Sequence, residues 1–319
     1  MLLIDRLTDA IKTRKSPIVV GLDPLIPRMP SVYFARHGDE TDERKKIARA
    51  IVDFTMDVMD AVRDIVPAVK PQMAFYEMYG PPGIEAFEET VAHARGKGLV
   101  VVEDAKRNDI GSTALAYAQG HLGTVATSNG GRMPGLGADF LTVTPYLGTE
   151  SLIPFIDVCK EFDKGVFILV KTSNPGNTLV QNATTGSGET VAEAVAAFVA
   201  EHAAAHLGHC GLASMGAVVG ATYPEDAARL RAAMPQSLFL VPGYGVQGGT
   251  AADILPCFNP DGLGAIVNAS RSILYAYETS FDRQSITREE YARTVRDAAN
   301  AMREDIYRAL QSRHPYMCY

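Results

Sequence analysis

Apolar residues gather into short, nearly unbroken runs at 17–22 (PIVVGL), 66–70 (VPAVK), 99–103 (LVVVE), 140–143 (FLTV), 167–170 (FILV), 217–220 (AVVG), 239–241 (FLV) and 265–267 (AIV). They do not alternate with polar residues. Each therefore reads as a strand buried on both faces, the pattern of a parallel sheet. Longer stretches of helical period lie between them. Residues 42–66 put Ile47, Ile51, Phe54, Val58 and Val62 on one stripe. Residues 82–97 open at prolines and stop at Gly98, 190–206 are alanine-rich, 224–233 start at a proline, and 287–311 lie close to the end of the chain. Proline suits a helix start and glycine its end.

Eight strand–helix units in one run predict an α/β fold, a (β/α)8 TIM barrel formed by 1–319 as a single domain. A doubly wound open sheet, which needs fewer strands, is the alternative. Two stretches exceed a minimal barrel. One is 28–40, after the first strand; the other is 120–137 (GHLGTVATSNGGRMPGLG), after the third, which reads as a glycine-rich flap.

Composition narrows the partners. With 47% hydrophobic and 21% charged residues, the 319-residue chain has the make-up of a soluble globular protein. A net charge of −7 supplies no bulk field for a nucleic-acid backbone, so any phosphate must be gripped locally. No apolar run approaches the roughly 20 residues of a membrane span. Asp5 and Arg6 fall where a secretory segment needs its apolar centre. Cys159, Cys210, Cys257 and Cys318 lie far apart without a CxxC, which predicts reduced thiols in a cytoplasmic protein and no thiolate metal site.

In a TIM barrel the chemistry sits at the C-terminal strand ends. Reading only those positions gives Asp23, Lys70, Asp104 with Lys106, Thr144, Lys171 to Ser173, Thr222, the glycines of 243–249, and Asn268 with Arg271. Charges beside apolar strands are costly unless paired, so they predict a network. The densest element is EDAKRNDIGST at 103–113. Strand alternation puts Asp104 and Lys106 on one side, facing the barrel mouth, and turns Ala105 away. Asp109, in the following loop, can return to the same site or reach a neighbouring subunit. A purely structural ion pair followed by a solvated loop is the plainer alternative.

The D-x-K-x-x-D arrangement here resembles the orotidine 5′-phosphate decarboxylase family, and DAKRNDIGSTA resembles the signature of its longer bacterial subgroup (type 2). GLDP at 21–24, VKPQMAFYE at 69–77, TPYLG at 144–148, VKTSNPG at 170–176, VVGATYPED at 218–226, VPGYGVQGG at 241–249 and the Arg271 segment follow in the family's order, so the likeness spans nearly the whole chain. It departs at 268–271, where NASR replaces a glycine–arginine pair.

The resemblance implies decarboxylation of orotidine 5′-phosphate to UMP and CO₂, the last step of de novo pyrimidine nucleotide synthesis, without metal or cofactor. Lys70, Asp104, Lys106 and Asp109 would form a lysine–aspartate tetrad, with Asp109 contributed by the other subunit of a homodimer. Asp23 and Thr113 would bind ribose hydroxyls, Ser173 the pyrimidine, and Gln247 with Arg271 the 5′-phosphate. Loss of CO₂ leaves a C6 carbanion with no adjacent π system to receive its charge. The implied stabilisation is thus electrostatic, and Lys106 would donate the proton.

Competing readings remain. Gly243-Tyr-Gly245-Val-Gln-Gly248 fits a dinucleotide fingerprint, but it follows strand seven, where barrel glycines commonly expose N–H groups to a phosphate; it also fits a plain turn. His202, His206, His209 and Cys210 mimic a metal site and equally suit a solvated helix end. Lys171 is placed for imine chemistry, though Ser173 and Asn174 beside it suit amide recognition. A metal-dependent sugar-phosphate decarboxylase or isomerase carries a similar element but needs a carboxylate near strand two, where this chain has Lys70. A non-catalytic nucleotide sensor would keep Gln247 and Arg271 and gain little from the tetrad.

Overall fold

The computed structural model, which describes every residue except 246, 247, 314–316, 318 and 319, closes eight parallel strands into a barrel. They are β1 (Ile18–Leu22), β2 (Ala68–Pro71), β3 (Val100–Arg107), β4 (Phe140–Val143), β5 (Gly165–Lys171), β6 (Ala213–Val219), β7 (Ser237–Val241) and β8 (Ala265–Ala269). Successive strands are neighbours, and β8 returns to β1 with Val267 opposite Ile18. All eight predicted runs are barrel strands, and the open sheet is excluded.

The strands are apolar over most of their length because two cores share them. Val19, Ala68, Val100, Val102, Phe140 and Phe167 fill the barrel interior. Val20, Val69, Val101 and Leu141 pack outward against the surrounding helices. Full burial of each valine, leucine or phenylalanine side chain here contributes roughly 1.5–3 kcal/mol, so neither face tolerates a polar residue without a partner. The interior is closed from below by α1 (Leu3–Arg14), whose Leu3, Ile4, Leu7 and Ile11 enter the same cluster.

The outer ring comprises α2 (Glu43–Val62), α3 (Pro81–Gly96), α4 (Gly111–Leu122), α5 (Thr149–Phe162), α6 (Val191–Ala204), α7 (Pro224–Ala233) and α8 (Arg288–Arg313). Local chemistry sets their starts. Asp42 accepts the Arg44 N–H ahead of α2, and Thr190 with Glu193 forms a capping box on α6.

The two stretches beyond a minimal barrel are both structured. After β1 come a 3₁₀ turn (Ile26–Arg28) and a short helix (Val32–Ala35). The Tyr277 hydroxyl donates to the Arg28 carbonyl at 2.7 Å, and Arg283 Nε donates to the Met29 carbonyl at 2.6 Å, which fastens this stretch to the segment before α8. The residues expected as a flap instead complete α4 and then form an antiparallel hairpin, Thr124–Ala126 with Arg132–Pro134. The Leu136 N–H donates to the Gly120 carbonyl at 2.7 Å and ties the hairpin's exit to the helix. No helix among the described residues is long and apolar enough to cross a membrane.

Candidate active site

Polar side chains enter the barrel at the C-terminal ends of β2, β3 and β4, where strand geometry converges on Asp104. Its carboxylate is buried and accepts four hydrogen bonds. Lys70 Nζ reaches Oδ2 at 2.7 Å and Gln72 Nε2 the same oxygen at 3.0 Å. Lys106 Nζ reaches Oδ1 at 2.5 Å, joined by the Thr142 hydroxyl at 3.0 Å. Lys70 is buried with Asp104, while the Lys106 side chain is 48% exposed and stands at the mouth.

Charge compensation makes this arrangement stable. Burial on its own would push the Asp104 carboxyl up, but the charges of Lys70 and Lys106, together with hydrogen bonds from both, outweigh it and hold Asp104 well below the usual carboxylate range. Burial would likewise discharge Lys70, yet Asp104 and Asp23 raise it above the ordinary lysine value. The site therefore holds an anion between two cations, one sealed in the barrel and one facing solvent.

Above these groups opens a cavity of about 290 Å³. Asp23, at the exit of β1, lines it, and Asp23 Oδ1 is buried without a donor. The Asn268 Oδ1 on the neighbouring strand is in the same condition. Two acceptors without donors suit a ligand that brings hydroxyl or N–H groups. The glycine of GLDP is explained by the approach of β1 to the β8 exit: a Cβ on Gly21 would lie 1.9 Å from Ser270 Oγ. Arg271 lines the cavity's far side from the first turn of a short helix, Arg271–Leu274. Ser173 lines it from the loop after β5.

Lys70, Asp104, Lys106, Asp23, Ser173 and Arg271 thus share one cavity. Asp109 and Thr113 do not line it. Asp109 accepts the Ile110 N–H at 2.8 Å, and Thr113 is exposed on the first turn of α4. Gln247 lies outside the described residues, as does Cys318. The loop after β7 uses several of its N–H groups internally: Gly245 donates to Gly249, Gly248 to Gly245, and Gly249 to Gly243. Lys171 turns away from the cavity, with Nζ 3.1 Å from Asp226 Oδ2 and hydrogen-bonded to Asn182. Among the described residues, no group of three or more His, Cys, Asp and Glu side chains could hold a metal ion, so the His202–Cys210 stretch forms no such centre.

Sequence reasoning missed Gln72 and Thr142. Gln72 stands two positions after Lys70, on the same side of an extended segment, and this spacing was a usable signal. Thr142 was visible only as a hydroxyl inside an apolar run.

Residues 16–281 match the profile of the orotidine 5′-phosphate decarboxylase / HUMPS family. The orotidine 5′-phosphate decarboxylase of Rhodopirellula baltica is 42% identical over 94% of this chain and 97% of its own. That of Caldicellulosiruptor bescii is 37% identical over 93% and 97%. The solved structure of Leishmania donovani OMP decarboxylase superposes with a TM-score of 0.70 at 31% identity, covering 97% of this chain and 99% of that one. With a family match across most of the barrel, near-full-length relatives and a charged site at the strand ends where such a barrel keeps its chemistry, the chain belongs to the orotidine 5′-phosphate decarboxylase / HUMPS family.

Proposed function

We propose that the chain, acting as one domain over 1–319, converts orotidine 5′-phosphate to UMP and CO₂, with Lys106 as the proton donor. The observation that carries this reading is Asp104 held ionised between Lys70 and Lys106 at the floor of the cavity. The C6–carboxylate bond breaks, CO₂ leaves, and the electron pair stays on C6 beside the Lys106 ammonium. That ammonium stabilises the carbanion electrostatically, gives it a proton, and is recharged from solvent. Lys70 and Asp104 hold the charge pattern in place. Asp23, with an orphaned buried acceptor, suits a ribose hydroxyl; Ser173 suits the pyrimidine and Arg271 the phosphate.

Asp109 and Thr113 enter this reading through a second copy of the chain. Neither lines its own cavity, and exposed apolar side chains stand close to them in sequence: Ile110 at 48%, Leu115 at 40% and Tyr117 at 36%. Gln247 joins Arg271 on the phosphate. A divalent ion at the end of β2 would meet the Lys70 ammonium, so the reading is of metal-independent chemistry.

The test is ultraviolet absorbance of orotidine 5′-phosphate mixed with the purified protein after dialysis against a strong chelator. The expected result is full conversion to UMP. No turnover, or turnover restored only by magnesium, moves the assignment to metal-dependent relatives.

A further inference from the structure

The main chain of β3 leaves the sheet pattern beside the proton donor. Glu103 stands opposite Leu141 and Arg107 opposite Val143, with a register shift between them. Residues 104–106 therefore face Thr142 alone across the strand pair. Within this bulge Lys106 has φ +50°, a left-handed conformation disfavoured for any residue with a Cβ. Such a conformation persists where neighbours impose it, and it collects at functional sites.

Thr142 is placed to impose it. The residue is 1% exposed, and a hydroxyl buried that far needs partners. It has two. The Lys106 N–H donates to Thr142 Oγ1 at 3.0 Å, and the hydroxyl donates to Asp104 Oδ1 at 3.0 Å. On the far side of the bulge, the Thr144 N–H donates to the Arg107 carbonyl at 3.1 Å. The Thr142 side chain thus gives the Lys106 N–H a partner outside the regular ladder and orients the carboxylate on which Lys106 Nζ rests.

We propose that Thr142 is a positioning residue for proton delivery: its hydroxyl fixes the Lys106 main chain in the left-handed state and couples that posture to Asp104. This rests on the decarboxylase reading above. Both contacts go through one oxygen, so removing it loosens the donor and its counter-charge together. A small displacement of a reacting group is expensive in rate, whereas substrate grips elsewhere in the cavity are untouched.

The experiment compares Thr142→Val, which keeps the shape and removes the hydroxyl, with Thr142→Ser, which retains it. T142V is expected to lower kcat roughly 10- to 100-fold. Its KM for orotidine 5′-phosphate stays within about threefold of wild type, because binding contacts persist. T142S recovers most of the lost rate. A crystal structure of T142V shows Lys106 outside the left-handed region. Should T142V not fold, Thr142→Ala carries the same comparison. Unchanged kcat in the hydroxyl-free variant, or T142S as slow as that variant, overturns the proposal. If the wild-type protein does not turn over orotidine 5′-phosphate, the decarboxylase reading fails, and the crystal structure still decides Thr142: Lys106 unmoved from φ near +50° refutes its positioning role.

Discussion

The hydroxyl of Tyr275 donates to the main-chain carbonyl of Asp23 at 2.8 Å, joining the exits of β8 and β1. The same oxygen accepts the Leu25 N–H at 2.7 Å. Tyr275 lies four residues after Arg271 and returns a hydrogen bond to the Arg271 carbonyl. The proposed ribose and phosphate contacts are therefore held by one buried tyrosine.

Tyr275→Phe keeps the ring under the Arg28 guanidinium, 4.2 Å from its centroid, and removes only the bridge. A half-buried N–H and a carbonyl each lose a partner, so stability is expected to fall by about 0.5–1.5 kcal/mol in urea unfolding. KM for orotidine 5′-phosphate rises more than kcat falls, because Asp23 is displaced and Lys106 is not. Wild-type stability and KM in this variant would show that the bridge does not position Asp23.

Arg271→Ala tests the phosphate grip. Arg271 is exposed and lines the cavity, where its guanidinium can meet an anionic ligand. Its removal is expected to cost about 2–5 kcal/mol in kcat/KM for the full substrate. A nucleoside lacking the phosphate should react almost equally with wild type and variant. Equal losses on both substrates would assign Arg271 another role.

The barrel was legible because burial on both faces leaves a direct trace: Val100, Val101 and Val102 are all apolar although they point alternately into and out of the barrel. The helices α4 and α5 left weaker traces. Glycine and alanine blur any stripe in α4, and Pro154 interrupts α5. The segment that forms α1 carries Leu3, Leu7 and Ile11 at helical spacing, which marks the face that plugs the barrel. Lys70 and Asp104 were found from their place at strand ends. Alternation also put Lys106 on the side of Asp104, but the route differs: a bulge and a left-handed residue bring its ammonium there. Such a bulge depends on the facing strand, and Thr142 was not separable from an ordinary β-former until that pairing was known.

The opposite shifts of Asp104 and Lys70 fix a pH dependence. Asp104 is depressed in the folded state, so its contribution is full above the unfolded carboxylate value of about 4 and is lost below it. Lys70 is raised, so its contribution is full below about 10 and is lost as pH rises through the folded value. Neither group should titrate in the native protein between about pH 5 and 9. Asp104→Asn reverses the sign for Lys70. Without that counter-charge, burial dominates and lowers the lysine, so the unfolded chain binds the extra proton and stability climbs with pH toward about 10. Denaturant midpoints taken across this range check both statements. A pH-independent difference between D104N and wild type would mean that Lys70 is not controlled by Asp104.

Asp109 follows Lys106 by three residues, yet it does not line the cavity that Lys106 lines, and Ile110, Leu115 and Tyr117 are exposed close to it in sequence. A second copy docked there would receive Asp109 beside its own Lys106, making the dimer the catalytic unit. Lys106→Ala removes the proton donor and Asp109→Ala unbalances the charges around it, so each pure variant is expected to be severely impaired. A heterodimer of the two differs from both. One of its sites carries both substitutions, since its own chain has lost the lysine and the facing chain has lost the aspartate. The other joins an intact Lys106 with an intact Asp109 from across the interface. After subunit exchange, the mixture should regain activity approaching one working site per heterodimer, measured by loss of substrate absorbance and normalised to heterodimer content from native mass spectrometry. If heterodimers form and activity stays at the level of the separate variants, Asp109 serves its own chain and the shared-site arrangement is wrong.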